Sequence, residues 1–267
     1  MKSTKNHLFG ALILGAMCTP ILAGEDQSKI NLEPISEDCW EFSLSPYFMM
    51  ASLTGDVSPG PNVPSLGVDA AFSDLKDHLE AGAAGYFEAR KGKWGFGLDA
   101  MWLKLSGSNT FSPDPGSMLT ASASLDIEEV RAKALAFYRF NEYDSGSLDF
   151  YAGVSYNYVD MSASIAGSGP AGLDGNRGNN KGWFDPVIGV RFIQDINDKW
   201  FLKGIAEIGG WASSDTNWEL MGVLGYHINH RWDLALAYRG IGIDYKDDGF
   251  VYDVTMHGPM IGFTYNW

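Results

Sequence analysis

The chain has 267 residues, of which 33 are acidic and 19 are basic, so its formal net charge is −14. This acidic balance argues against nucleic acid as a partner, because binding to phosphates depends on Lys and Arg. After the N-terminal region, no stretch approaches the roughly 18 consecutive apolar residues that a transmembrane helix needs.

The N-terminal residues have the parts of a secretory signal peptide. Lys2 and Lys5 give the positive start, a short apolar run follows, and Ala23 stands where a signal peptidase would cleave. We therefore expect residues 1–23 to be removed on export. The remaining chain is expected to comprise a periplasmic N-terminal segment, residues 24–39, and one folded domain, residues 40–267.

From residue 40 onward, apolar side chains alternate with small or charged ones, which is the period of β-strands. Trp94, Phe96 and Leu98 fall on one face of such a strand, while Gly95 and Asp99 fall on the other. The pattern predicts an all-β, antiparallel fold of about ten strands, with eight or twelve as alternatives. The expected strands are 40–53, 78–90, 94–106, 124–140, 148–161, 183–195, 199–211, 216–228, 232–245 and 250–267.

Short and long connections alternate between these strands. The short ones are 91–93, 141–147, 197–198 and 229–231, and the long ones are 54–77, 107–123 and 162–182. Short turns at one end and long loops at the other are typical of outer-membrane β-barrels, whose long loops lie outside the cell. In the first long loop, Ser73 is suited to cap a helix, which predicts one short helix from Phe72 to Leu79.

Aromatic residues gather at both ends of the expected strands, as they do at the two interfaces of a membrane. Beside the short turns and the chain ends lie Trp40, Phe87, Trp94, Phe140, Phe150, Trp200, Tyr226, Trp232 and Trp267. At the opposite ends lie Trp102, Tyr158, Trp183, Trp211, Trp218 and Tyr252. The two belts favour a transmembrane barrel over a soluble lipocalin-like carrier, which is the alternative fold.

Charged residues share the strand face opposite the apolar one. A basic side chain at the middle of a barrel's lipid face costs about 2–4 kcal/mol, so the charged face should line the lumen. The strand 124–140 needs a bulge or a change of phase, because Glu128 and Glu129 are adjacent. The expected lumen network consists of Glu88, Arg90, Asp99, Arg131, Asp185, Arg191, Lys203, Glu207, Glu219 and Arg239, with Lys133 on the same face.

Four motifs resemble a family of small outer-membrane β-barrel proteins of Gram-negative bacteria. They are residues 183–191 (WFDPVIGVR), residues 207–210 (EIGG), Tyr238-Arg239 with Asp244-Tyr245, and the ending 258–267 (GPMIGFTYNW). The likeness runs over most of residues 40–267. It implies a barrel and specifies no reaction.

The resemblance also implies that a terminal aromatic residue helps the barrel assembly machinery to recognise the chain. Phe263, Tyr265 and Trp267 are the residues that match this signal. Two positions depart from the family pattern. The chain ends in Trp267 where the family usually ends in Phe, and it has Ile205 where the family often has an Arg two places before the acid that matches Glu207.

These observations predict an outer-membrane protein of structural or narrow-pore type, with a lumen filled by charges. Its expected partners are membrane lipid and the assembly machinery, and the sequence names no solute, surface ligand, metal or cofactor. One alternative is an adhesin that works through the long loops. A second is a hydrolase, for which Asp253 and His257 are the candidate dyad. The protein is expected not to be an enzyme.

Overall fold

The computed structural model describes residues 39–61, 65–75, 79–111, 121–167 and 175–267. The expected signal peptide and nearly all of the periplasmic segment lie outside the described residues, so both stay predictions.

The described chain forms one antiparallel sheet that closes into a barrel of ten strands. The closing contact pairs the first strand with the last, from Ser43 opposite Asn266 to Met49 opposite Met260. The all-β barrel of about ten strands is therefore confirmed. The barrel strands are β1 (Glu41–Met49), β4 (Leu79–Lys91), β5 (Trp94–Phe111), β6 (Ala121–Tyr143), β7 (Gly146–Gly167), β8 (Gly175–Asp195), β9 (Trp200–Gly209), β10 (Thr216–His227), β11 (Trp232–Asp247) and β12 (Phe250–Asn266).

Two further strands, β2 (Ser52–Pro59) and β3 (Leu66–Ala70), occupy the segment 54–77 that the sequence predicted to be a loop. β2 continues the register of β1 along β12, because Met49 lies opposite Met260 and Ser52 lies opposite His257. Its alternation places Leu53 and Val57 in the buried interior.

The predicted short helix is present as α1 (Phe72–Leu75), although residues 76–78 lie outside the described residues. Within the described ranges, no helix has both the length and the apolar character that crossing a membrane would require.

Within the segments 107–123 and 162–182, which were expected as long loops, the described residues 107–111, 121–123, 162–167 and 175–182 are paired strand. β5 and β6 stay in register out to Phe111 opposite Ala121, and β7 and β8 stay in register out to Ile165 opposite Gly175. The sequence prediction was wrong here because it required apolar alternation. Backbone pairing needs no apolar face beyond the membrane, and polar side chains bond between strands, as the hydroxyls of Ser124 and Ser164 do at 2.7 Å.

The expected irregularity at Glu128 and Glu129 is also wrong. β6 passes both residues in unbroken register, and its register shift with β7 lies instead between Arg139 and Asn141. Glu129 points inward and accepts a 2.7 Å hydrogen bond from the Tyr252 hydroxyl. Glu128 points outward and accepts a 2.9 Å hydrogen bond from Nε1 of Trp102. Because Trp102 lies in the aromatic belt, Glu128 stands at the membrane interface and not in the hydrocarbon.

The outer surface of the barrel is apolar. Leu98 and Leu236 are 56% and 54% exposed, and each lies on the outward face four residues beyond the tryptophan that begins its strand. Such a surface is solvated by lipid and would be unstable in water, which contradicts the soluble carrier alternative and places the barrel in the outer membrane. The exposed rings at the short-turn end include Trp40, Trp94, Tyr138, Phe140, Phe150, Trp200, Trp232 and Trp267, and those at the other end include Phe48, Trp102 and Phe184.

Two residues of the expected outer belt lie instead inside the barrel. Trp183 and Tyr252 are only 3% and 2% exposed. The Trp183 ring stacks on the Tyr245 ring at a centroid distance of 3.9 Å. The position of Trp183 agrees with strand alternation, because Trp183 and Asp185 are two residues apart in β8 and so lie on the same, inward-pointing face.

The lipid-facing position of Leu236 can be tested by Leu236→Arg. We expect this change to lower the free energy of unfolding in lipid vesicles by about 2–4 kcal/mol, because it places a cation near the bilayer midplane. Urea titration of the refolded protein measures the change. The control is Ile228→Arg in the turn between β10 and β11, where the loss should be about 0–1 kcal/mol. Equal losses at the two positions would contradict the assignment of the lipid face.

The end of the chain closes the barrel. The backbone N–H of Trp267 donates to the Phe42 carbonyl and the N–H of Phe42 donates to the Trp267 carbonyl, both at 3.0 Å. The Trp267 ring also stacks on the rings of Phe42 and Tyr265, with centroid distances of 5.7 and 5.5 Å. Phe263 and Trp267 are both 47% exposed on the outer surface.

Deleting Trp267 should reduce the amount of folded barrel in the outer membrane, because the deletion removes two backbone hydrogen bonds at the closing contact together with the terminal ring. The measurement is the heat-modifiable band on gels of outer-membrane fractions. The matched control is Trp267→Phe, which keeps the backbone and an aromatic ring and should give normal levels. Normal levels of the deletion variant would contradict both the structural role and the predicted assembly signal.

Candidate functional site

The lumen holds many buried charged side chains, and strand alternation is what brings them together. Asp149, Arg191 and Glu219 are at most 2% exposed, yet each lies on a strand whose opposite face meets lipid. Buried charges are tolerated only when they are paired and hydrogen bonded. In this lumen the pairing forms two groups, which we call the lower cluster and the central cluster.

The lower cluster lies near the short turns and consists of Glu88, Arg90, Arg139, Asp149 and Arg191. Arg191 bridges two acids, with Nη1 at 2.6 Å from Oε2 of Glu88 and Nη2 at 2.6 Å from Oδ2 of Asp149. Nη2 of Arg90 reaches the same two carboxylates at 3.2 and 3.0 Å. Arg139 donates from Nε to the other oxygen of Asp149 at 3.0 Å. The three guanidinium groups therefore share two carboxylates.

Aromatic side chains hold the lower cluster in place. The Tyr86 hydroxyl donates to Oε2 of Glu88 at 2.6 Å. The guanidinium carbon of Arg191 lies 4.1 Å from the centre of the Phe137 ring, which is a cation–π contact. These contacts fix the side chains that face each other across the lumen.

The central cluster consists of Asp99, Lys133, Glu207, Glu219 and Arg239, and lies farther from the short turns. Nζ of Lys133 is 2.8 Å from Glu219 and 3.1 Å from Glu207. Arg239 also binds Glu219, with Nη2 at 2.9 Å from Oε2. The same Nη2 is 2.5 Å from Oδ2 of Asp99. One lysine and one arginine thus join three carboxylates.

Two tyrosines and one further arginine complete the central cluster. Tyr47 donates its hydroxyl to Asp99 at 2.8 Å and accepts from Nη1 of Arg239 at 2.8 Å. Tyr151 donates to Oε2 of Glu207 at 3.0 Å. Arg131 lies 3.9 Å from Glu207 and 3.8 Å from Glu219, so three cations face three carboxylates and the charges balance.

An apolar layer fills the lumen beyond the central cluster, toward the end away from the short turns. We call it the apolar plug. Its buried members are Leu53, Val57, Met101, Ile127, Val159, Met161, Trp183, Ile241, Ile243, Tyr245, Phe250, Tyr252, Val254 and Met256.

Two internal spaces lie on the short-turn side of the plug. A cavity of about 130 Å³ is bordered by Tyr47, Tyr86 and Lys203 between the two clusters. A wider vestibule of about 660 Å³ begins at the short-turn end and is lined by polar residues that include Glu88, Arg90 and Lys203. Space for solute therefore narrows from the vestibule to the central cluster.

Eight of the ten expected lumen residues lie in these clusters or beside them, namely Glu88, Arg90, Asp99, Arg131, Arg191, Glu207, Glu219 and Arg239. Asp185 is inward and buried but belongs to neither cluster. It accepts from the backbone N–H and the hydroxyl of Ser214 at 2.9 and 2.6 Å, and so holds the turn between β9 and β10. Lys203 also stands apart, 5.4 Å from the centre of the Tyr86 ring.

Sequence reasoning missed several cluster members. Asp149, which is fully buried, lies directly opposite Arg191 on the neighbouring strand. It could have been found from strand alternation, because Asp149 lies two residues before the buried Tyr151 and so shares its face of β7. The tyrosines Tyr47, Tyr86 and Tyr151 were missed because tyrosine suits both the lipid interface and the lumen, and only the strand register separates the two.

The candidate hydrolase dyad is not formed. Nδ1 of His257 is 2.8 Å from the Tyr238 hydroxyl, and Asp253 lies 3.6 Å from the ammonium group of Lys246. Within the described parts of the chain, no group of three or more His, Cys, Asp or Glu residues could hold a metal ion.

No protein-family model matches the chain, and no curated protein sequence matches it. Among solved structures, the outer membrane protease OmpT from Escherichia coli superposes with a TM-score of 0.52 at 12% identity, over 87% of this chain and 98% of OmpT. At that identity the likeness supports the fold and transfers no activity.

Two further structures superpose with lower scores. Ail, the attachment invasion locus protein of Yersinia pestis, gives a TM-score of 0.34 at 11% identity, over 86% of this chain and 99% of Ail. Neisserial surface protein A gives 0.28 at 14% identity, over 84% of this chain and 96% of that protein. The closed barrel, its apolar exterior and the superposition on OmpT together make this chain an outer-membrane β-barrel protein.

Proposed function

We propose that this protein is a structural or narrow-pore barrel whose lumen is closed at rest. The observation that carries the proposal is that ion pairs cross the lumen between strands far apart in the barrel. Arg239 on β11 pairs with Asp99 on β5, and Lys133 on β6 pairs with Glu219 on β10. Arg191 on β8 pairs with Glu88 on β4 in the same way.

These crossing pairs make a wide water path energetically unfavourable. Separating one partner of a buried pair leaves an uncompensated charge, which typically costs about 3–5 kcal/mol. A barrel of about eight strands has a filled interior, whereas one of roughly 16–18 strands leaves an aqueous channel. Ten strands lie near the filled end of this range, and the apolar plug adds a second layer that a solute would have to displace.

The lumen charges support a structural role better than a catalytic one. Each carboxylate of the central cluster already has at least one cationic partner within 3.2 Å, so its hydrogen-bonding capacity is used within the protein. We propose on this basis that the protein is not an enzyme. The apolar outer surface supports membrane lipid as a partner, and the exposed aromatic residues Phe263 and Trp267 at the closing strand support the barrel assembly machinery as a second partner.

Surface interaction is a second candidate function. The observation that favours it is that β5 continues past Trp102 to Phe111, while β7 continues past Tyr158 to Gly167. These hairpins rise beyond the aromatic belt and carry many Ser, Asn and Gly residues. Paired strands present a more rigid surface than the open loops expected from the sequence. This function uses the outer surface only and is compatible with a closed lumen.

Single-channel recording of the refolded protein in planar bilayers tests the closed lumen. We expect small or absent conductance for the unmodified chain. Glu207→Gln should increase the frequency of open events, because Lys133 loses a carboxylate partner at 3.1 Å and Tyr151 loses a charged acceptor.

The control for this recording is Glu142→Gln. Glu142 lies next to the turn between β6 and β7, and its side chain is 64% exposed. The control should behave as the unmodified protein does. Conductance like that of a large open porin in the unmodified protein would overturn the proposal, as would a Glu207→Gln variant identical to it.

A further inference from the structure

The barrel wall is interrupted between β1 and β4. The ladder of these two strands ends at Pro46 opposite Gly85, while β4 continues beside β5 as far as Leu79. Beyond this point the chain of β1 passes into β2, which pairs with β12 and with β3. Within the described residues, the part of β4 from Leu79 to Ala84 therefore has a paired neighbour on one side only.

Beyond Pro46 the chain stays beside β12 and leaves β4. The N–H groups of Phe42 and Met50 both donate to the β12 side, at 3.0 and 2.9 Å, and strand alternation turns the position of the missing Pro46 N–H the same way. The backbone contact between Met50 and Pro259 is therefore what holds the end of β1 and the start of β2 to β12. A Cβ atom at Gly258 would collide with the Met50 carbonyl oxygen, so glycine is what allows this close approach.

A cavity of about 90 Å³ occupies the interruption, and we call it the wall slot. Its outer rim is formed by Phe48 and Trp102, which are 49% and 36% exposed on the outer surface. Its inner end is formed by Met101 and Met256, which are buried members of the apolar plug. Since residues from both faces of the sheet line it, the slot passes through the wall.

Small side chains on β4 leave the slot open. Gly82, Ala83 and Ala84 line it on this side, where larger residues would fill the gap. Phe72 at the start of α1 borders the slot and packs edge-on against Phe48, with ring centroids 6.4 Å apart. The lining is almost entirely apolar, so water entering the slot would find few hydrogen-bonding partners.

The surroundings of the slot determine which occupant suits it. Its rim lies in the aromatic belt away from the short turns, and the surface below the rim is the lipid-facing wall. The lower edge of the opening therefore adjoins the hydrocarbon chains, and its rim lies at the membrane interface. A chain that enters buries apolar surface on both sides, and the flexible side chains of Met101 and Met256 can adapt to its end.

We propose that the wall slot binds one acyl chain of a membrane lipid from the adjoining leaflet, with the end of the chain pointing toward Met101 and Met256. The small volume accommodates the terminal part of a chain and not a whole lipid. This inference goes beyond the closed lumen and does not depend on whether the barrel conducts ions.

Photocrosslinking in lipid vesicles tests the proposal. The full chain is refolded in phosphatidylcholine vesicles that contain a small fraction of phosphatidylcholine with a diazirine on one acyl chain, and labelled residues are identified by mass spectrometry. A diazirine at the end of the chain should label the inward-facing Met101 and Met256. A diazirine close to the carbonyl should label Phe48 and Trp102 instead.

A matched pair of variants completes the test. Ala84→Trp places a ring in the slot, and labelling of Met101 and Met256 should fall to the background found at Val187, a buried lumen residue outside the slot. Ala152→Trp adds the same ring to the exposed face of β7 and should leave the labelling unchanged. Heat-modifiable gel migration verifies that both variants fold.

Two results would overturn the proposal. The first is labelling confined to outward-facing side chains for both positions of the diazirine. The second is labelling of Met101 and Met256 that persists in a folded Ala84→Trp variant. If Ala84→Trp does not fold, the dependence of labelling on the diazirine position in the unmodified protein decides the question.

Discussion

The exclusion of charge from hydrocarbon is the constraint that organises this barrel. Every strand has two faces, one of which meets lipid, so each buried charge must point into a narrow lumen and find a partner there. Shifting one strand by a single residue would turn its charges toward lipid and its apolar residues toward the lumen. Pairs such as Arg239 with Asp99 and Lys133 with Glu219 therefore report the register of the strands as well as stabilising them.

The layers of the lumen follow from the same constraint. The vestibule and the lower cluster lie toward the short turns, the balanced central cluster lies in the middle, and the apolar plug fills the far end. The two charged layers block passage by ion pairing, and the apolar plug blocks it by close packing. The wall slot is the exception, because there the wall itself is interrupted and its apolar interior adjoins the plug.

The fold could be predicted from the sequence wherever side chains close together in the chain carried the strand pattern. Strand alternation from Trp94 to Trp102 predicted both faces of β5 correctly, and the short turns were placed within a few residues. The sequence was insufficient for segments that are strands only because their backbones pair with a neighbouring strand. β2 and β3 are formed by extra pairings, of β2 with β12 and of β3 with β2, and the upper parts of β5 to β8 lack strong apolar alternation because they lie beyond the membrane. Trp183 was assigned to an aromatic belt because it is a tryptophan. It lies two residues before Asp185 and therefore on the same face of β8, which indicated the lumen correctly.

The most direct test of the account is a double-mutant cycle on the pair that crosses the lumen between β5 and β11. Asp99→Asn, Arg239→Met and the double variant would be compared by urea unfolding in vesicles. We predict a coupling of about 1–3 kcal/mol that favours the pair, as expected for partners in one network. The exposed pair of Lys104 and Glu80, 2.6 Å apart, is the reference and should couple by less than about 1 kcal/mol. Changes that add within about 0.5 kcal/mol at Asp99 and Arg239 would show that these charges are solvated independently and do not hold the lumen closed.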